Sequence, residues 1–167
     1  MSTSVSLDLL NFGNYRTYLT ALVMIACNLI SPAMCHAFGL DGNVWLPIYF
    51  FTLVCAYKWG WRAGLLTALV SPVLNSLLFG LPAVAMAGII TIKLVLLAIV
   101  AAWVSRRCGS ASVALLAAVV VFYQIFGTLA DWAISGNFDL ALSHIRTGIP
   151  GLLIQIFGGY AVLRALD

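Results

Sequence analysis

The sequence predicts an all-α integral membrane protein, a bundle of six transmembrane helices with both termini in the cytoplasm. Three observations predict it. Of 167 residues, 63% are hydrophobic, and the mean hydropathy is +1.10. Only 8% are charged, against roughly 25% in an ordinary soluble domain, too few to cover the surface of a soluble protein. Apolar runs that meet the roughly 20 residues needed to cross a bilayer follow one another with tight turns between them. The same composition excludes disorder, which needs low hydrophobicity and high charge.

The elements follow in order within a single membrane domain, residues 1–167. Residues 1–16 form a mildly amphipathic segment (Leu7, Leu9, Leu10, Phe12) suited to a short helix on the membrane surface. They lack the basic start of a signal peptide. The spans fall at 17–36, 44–59, 62–80, 84–104, 111–134 and 147–165. The second is short and contains Pro47. The turns Lys58-Trp59-Gly60-Trp61-Arg62 and Arg106-Arg107-Cys108-Gly109-Ser110 are compact. Arg16, Lys58, Arg62, Arg106, Arg107 and Arg164 fall on one side and only Arg146 on the other, a positive-inside signal that puts the termini in the cytoplasm. The outer connections are 37–43, 81–83 and 135–146.

Several function classes drop out. There is no GxxxxGK[ST] stretch for binding nucleotide phosphates and no HExxH, and no serine or cysteine triad can be assembled. Two His are too few for a typical metal site. Cys27, Cys35, Cys55 and Cys108 are scattered without a CxxC and read as small apolar residues. No enzyme activity, cofactor or resident metal is expected. The expected partners are a small-molecule micronutrient and membrane lipid, with no nucleic acid.

Polar residues inside spans are costly and mark function by default. At about 1.5 Å per residue, Lys93 lies roughly 13 Å below the outer end of its span, Gln124 about 15 Å, and Gln155 and Asn28 about 12 Å. Asn75 and Tyr49 sit higher, at roughly 7–8 Å. Together they read as a cup open to the outside. Gln124, Thr128 and Asp131 repeat at i, i+4, i+7 and form one helix stripe facing the bundle. Lys93 is the only deep formal charge, so it needs a partner, either Asp131 or an anionic ligand. Asp131 stands about 10 Å above Gln124 by helical rise, so a ligand carboxylate is expected to bridge that gap. Trp45 and Tyr123, with Tyr49, would cover apolar parts of the ligand. The first outer loop, with His36 and Asp41, and the third, with Asp139 and His144, would act as lids.

The stretch 31–107 resembles the substrate-binding S components of energy-coupling factor (ECF) transporters. The resemblance rests on Pro32, His36 and Gly39; on Trp45-Leu46-Pro47; on Gly60, Ala63-Gly64-Leu65, Ser71-Pro72 and Asn75; on Leu78-Phe79-Gly80-Leu81-Pro82; and on the pair Arg106-Arg107. The family's AxxxA pattern on the first span is absent, with Thr17 and Ala21 in its place. The resemblance implies a six-helix subunit of a prokaryotic cytoplasmic (inner) membrane that binds a vitamin, cofactor precursor or related micronutrient from outside. It also implies partnership with a coupling T component and two ATPases. Candidate ligands are carboxylate-bearing vitamins or a tetrapyrrole such as cobalamin or haem, with His36 or Cys35 as axial ligand. Two other readings stay open: a small membrane scaffold or assembly protein, and a standalone ion-coupled carrier using Lys93 and Asp131.

Overall fold

The computed structural model describes residues 3–4, 10, 12–80 and 82–166, with the backbone alone at 3, 4, 36, 43, 84 and 85. The chain is all-α apart from one two-residue bridge. Helix α1 spans Tyr15–Ala37, α2 Gly42–Trp45, α3 Pro47–Trp59, α4 Trp61–Phe79, α5 Val84–Cys108, α6 Val113–Ser135, α7 Phe138–Leu153 and α8 Gly159–Ala165. A π-helical turn, Ile154–Gly158, joins α7 to α8 without a break.

Among the described residues, five helical stretches are long and apolar enough to cross a membrane: Tyr15–Cys35, Trp61–Phe79, Met86–Cys108, Val113–Ser135 and Phe138–Ala165. The predicted second span is divided. Its main part, α3, has 13 residues, or about 20 Å of helix, and α2 is a separate turn. Large apolar side chains lie exposed along the helices, as on α6, where Phe122, Ile125, Phe126 and Leu129 point outward. On the same helix Tyr123, Gln124, Gly127, Thr128 and Asp131 are buried. Apolar outside and partly polar inside is the arrangement a lipid-embedded bundle requires.

The core runs between α3, α5 and α6, where Leu53, Leu94, Leu97, Leu116 and Val119 are buried. Close approach depends on small residues. A Cβ on Gly64 would stand 2.6 Å from the Cβ of Ala56, so α3 and α4 touch because Gly64 has no side chain.

One end of the bundle gathers Lys58, Arg62, Arg106, Arg107 and Arg164 with the outermost described residues, Thr3–Ser4 and Leu166. The strand Thr3–Ser4 (β1) pairs antiparallel with Ser110–Ala111 (β2). Leu10 N donates to Trp59 O at 3.3 Å. Tyr57 donates its hydroxyl to Ser110 O at 2.8 Å, and Lys58 Nζ donates to Leu166 O at 3.1 Å. The guanidinium of Arg62 lies over Phe12 and Trp61. We call this the basic end and the opposite one the open end. The surface helix expected over 1–16 is corrected at Thr3–Ser4, which form a strand because the α5–α6 turn offers them backbone partners; the residues between lie mostly outside those described.

The other correction concerns the last span. The expected outer connection 135–146 is helical from Phe138. Gly136 ends α6 with a left-handed φ of 67°. Asn137 then caps α7, its Oδ1 accepting from Leu140 N at 3.0 Å. Asp139 in the first turn suits the positive end of the helix dipole.

Candidate functional site

A cavity of about 290 Å³ opens between α1, α3, α5, α6 and α7 in the open-end half of the bundle. Its walls are mostly apolar: Pro32, Leu46, Pro47, Ile48, Pro82, Met86, Ile89 and Ile90 line it. Its polar lining is Lys93, Gln124, His144, Thr147, Asp41 and the two tyrosines Tyr49 and Tyr123.

What we term the floor is a polar contact beside the lining, built on one oxygen of a residue that does not itself line the cavity. Asp131 Oδ2 accepts from Lys93 Nζ at 3.0 Å and lies 2.8 Å from His144 Nδ1. Asp131 is fully buried, Lys93 nearly so, and the His144 side chain is 29% exposed. Three helices thus meet at one carboxylate. The expected ligand bridge between Lys93 and Asp131 is corrected: they touch directly. Gly127 makes the contact possible. A Cβ there would lie 2.6 Å from Lys93 Cγ and 3.3 Å from Cδ. The lysine stem therefore lies along the bare face of α6 and climbs the one turn to Asp131, a reach that counting helical rise between backbones misses.

Tyr49 and Tyr123 form the wall beside the floor. Their rings stack 5.7 Å apart at 19°. Tyr123 is fixed by donating its hydroxyl to Gln155 Oε1 at 2.8 Å. Gln155 thus stands behind the wall and does not line the cavity. Gln124 lines it, and its side-chain amide has no hydrogen-bond partner among the described residues.

Asn28 and Asn75 belong to a second cluster. Asn28 Nδ2 donates to Thr52 Oγ1 at 3.1 Å and Ser71 Oγ at 3.0 Å, while Asn75 Nδ2 donates to the carbonyls of Asn28 and Ser71, both at 3.0 Å. This ties α1, α3 and α4 together away from the cavity. The expected single polar layer is therefore two groups, and only one lines the cup. Trp45 also stays off the lining. Its backbone carbonyl packs on α7, where a Cβ on Gly151 would stand 2.7 Å from it. His36 lies in the last turn of α1, its side chain outside those described. Cys35 does not line the cavity, and about 290 Å³ is too small to enclose a tetrapyrrole.

Leu46 joins α2 to α3 with φ 48° and ψ 46°. A left-handed conformation is costly for a residue with a Cβ, and more so before proline. The joint is held by Leu46 N donating to Gly42 O at 3.0 Å and by the press of Gly151, and it folds α2 over the cavity mouth.

The sequence reading missed His144 as part of the floor. The signal was present: Ala141, His144, Gly148 and Gly151 recur at i, i+3, i+7, i+10, one helix face, and three of the four are buried. Among the described residues no three His, Cys, Asp or Glu side chains converge as a metal site would need. No family model, curated protein or solved structure matches the chain.

Proposed function

We propose that the chain is the membrane-embedded binding subunit for uptake of a vitamin, cofactor precursor or related micronutrient in a prokaryotic cytoplasmic membrane. The observation that carries this is the cavity at the open end, with apolar walls, a tyrosine pair and a polar floor drawn from α5, α6 and α7. A concave, mostly apolar site with a few convergent polar groups is what small-molecule recognition uses. Six passes with both termini cytoplasmic accord with this reading. Thr3–Ser4 and Leu166 both lie at the basic end, which supports an even number of crossings, with α3 as the proposed sixth. A T component and two ATPases as partners follow from the ECF resemblance.

The carboxylate expected of the ligand rested on an unpaired Lys93. Its bond to Asp131 removes that requirement. The test is native mass spectrometry of the protein purified from its host. A small molecule should co-purify, and Ile90→Trp, which fills the cavity, should abolish it. Purified protein free of any small molecule, under conditions that preserve its melting transition, would overturn the proposal.

A second reading is favoured by the contact of Lys93, Asp131 and His144. Buried titratable groups in one hydrogen-bonded chain are the parts of an ion-coupled carrier. Uptake by the chain alone in proteoliposomes, driven by a proton gradient without any ATPase, would select it.

A further inference from the structure

Resting on the cavity as a small-molecule site, we propose that its ligand is uncharged where it meets the floor, and presents there a hydrogen-bond donor beside an acceptor, as a primary amide or lactam does. An ionised carboxylate only accepts. Facing Asp131 Oδ2 at 2.8 Å, His144 Nδ1 therefore carries the hydrogen. In the neutral ring Nε2 then keeps its lone pair, the arrangement by which a carboxylate orients an imidazole. Lys93 spends one N–H on Asp131 and keeps two. An acceptor and a donor thus stand on two side chains that share the Asp131 oxygen and line one cavity. Gln124, also on the lining, supplies one of each kind.

The charges agree. Lys93 and Asp131 cancel, and the remaining formal charge on the lining is Asp41, near the mouth. A carboxylate on the floor would find no net positive charge and would face a lone pair. A cation would face the ammonium. Either would leave an uncompensated charge in a half-dry site. A donor–acceptor edge satisfies Nε2 and Nζ together, and the Tyr49–Tyr123 pair with Met86, Ile89 and Ile90 lines the same cavity for the rest of the ligand.

Four probes of nearly one shape test this on the full chain in detergent at neutral pH: benzamide, benzoate, benzamidinium and acetophenone. Benzamide carries the edge, the second and third carry opposite charges, and acetophenone is neutral with an acceptor alone, which controls for partition into the micelle. Sites built to hydrogen-bond a group reject analogues that lack it. Benzamide should bind at least about 10-fold tighter than each of the others. His144→Leu should remove that preference, and Gln124→Leu should reduce it. Equal or tighter binding of benzoate, benzamidinium or acetophenone overturns the inference, and so does failure of benzamide to bind the unaltered protein. A co-purified micronutrient together with a preference for benzoate would sink this inference and leave the uptake reading standing. Benzamide preference without any co-purified molecule would do the reverse.

Discussion

Lys93 and Asp131 form a buried pair in contact at 3.0 Å, and removing the lysine leaves the carboxylate without its ammonium, held by His144 alone. Lys93→Met should therefore lower stability by about 3–5 kcal/mol, read as a fall in melting temperature in detergent. Lys93→Met combined with Asp131→Leu should recover most of it. An unchanged melting temperature in the single variant would mean that the pair is not formed. Gly127 gives a finer probe of the same contact. Gly127→Ala puts a methyl 2.6 Å from Lys93 Cγ, and overpacking of this kind costs about 1–3 kcal/mol. Gly88→Ala on α5 meets nothing within 4 Å and should be neutral or stabilising by about 0.5–1 kcal/mol. If both variants melt alike, the lysine stem does not lie on Gly127. At this scale the stripe Gln124, Thr128, Asp131 was legible because periodicity reports which face is inward. The Lys93–Asp131 contact was not, since depth counted along backbones ignores a side chain that lies along its neighbour.

Helix α7 is where the element-level reading and the structure part. A loop over 135–146 followed from its polar residues, and it made Asp139 and His144 parts of a lid. The pair Gly136-Asn137 is a helix stop followed by a helix start, and it moves His144 from a flexible cover to a fixed wall. Backbone amides from about Ala141 onward should therefore resist hydrogen exchange with or without a small molecule in the cavity. Rapid exchange that slows only on adding ligand would restore the lid. The cap itself can be weighed: Asn137→Ala removes the bond to Leu140 N and should cost about 1 kcal/mol. The spans at 62–80 and 111–134 lie within one or two residues of α4 and α6, because uninterrupted apolar runs leave little choice of boundary. The division at Leu46 was not legible, since a left-handed leucine before proline contradicts local preference and is held by packing against Gly151.

For the whole molecule, the deciding question is how many times the chain crosses. Hydropathy selects five stretches, and an odd number would separate the termini. Contacts bring them together: β1 lies on the α5–α6 turn, and Leu166 accepts from Lys58 at the end of α3. The short α3 must then carry the chain from one end of the bundle to the other. It can do so because it is enclosed: Leu53, Val54, Cys55 and Ala56 are nearly or fully buried, so its backbone does not have to match the bilayer thickness against lipid. On the proposed reading, Arg62, Arg106, Arg107 and Arg164, all at the basic end, put that end in the cytoplasm. Cys108, exposed in the last turn of α5, is a native reporter there, and Asn137, exposed between α6 and α7, marks the open end. In a chain with Cys27, Cys35 and Cys55 replaced by Ala, an impermeant maleimide should modify Cys108 only after the cells are permeabilised. With Cys108 also replaced, Asn137→Cys should be modified in intact cells. The reverse pattern would invert the molecule, and labelling of both positions in intact cells would show that α6 does not cross. An epitope ahead of residue 3 completes the count: protected in intact cells together with Cys108, it fixes an even number of crossings from α1 to α5, α3 included. Exposed while Cys108 is protected, it would leave α3 out of the membrane and turn the cavity's mouth into a site of a different architecture.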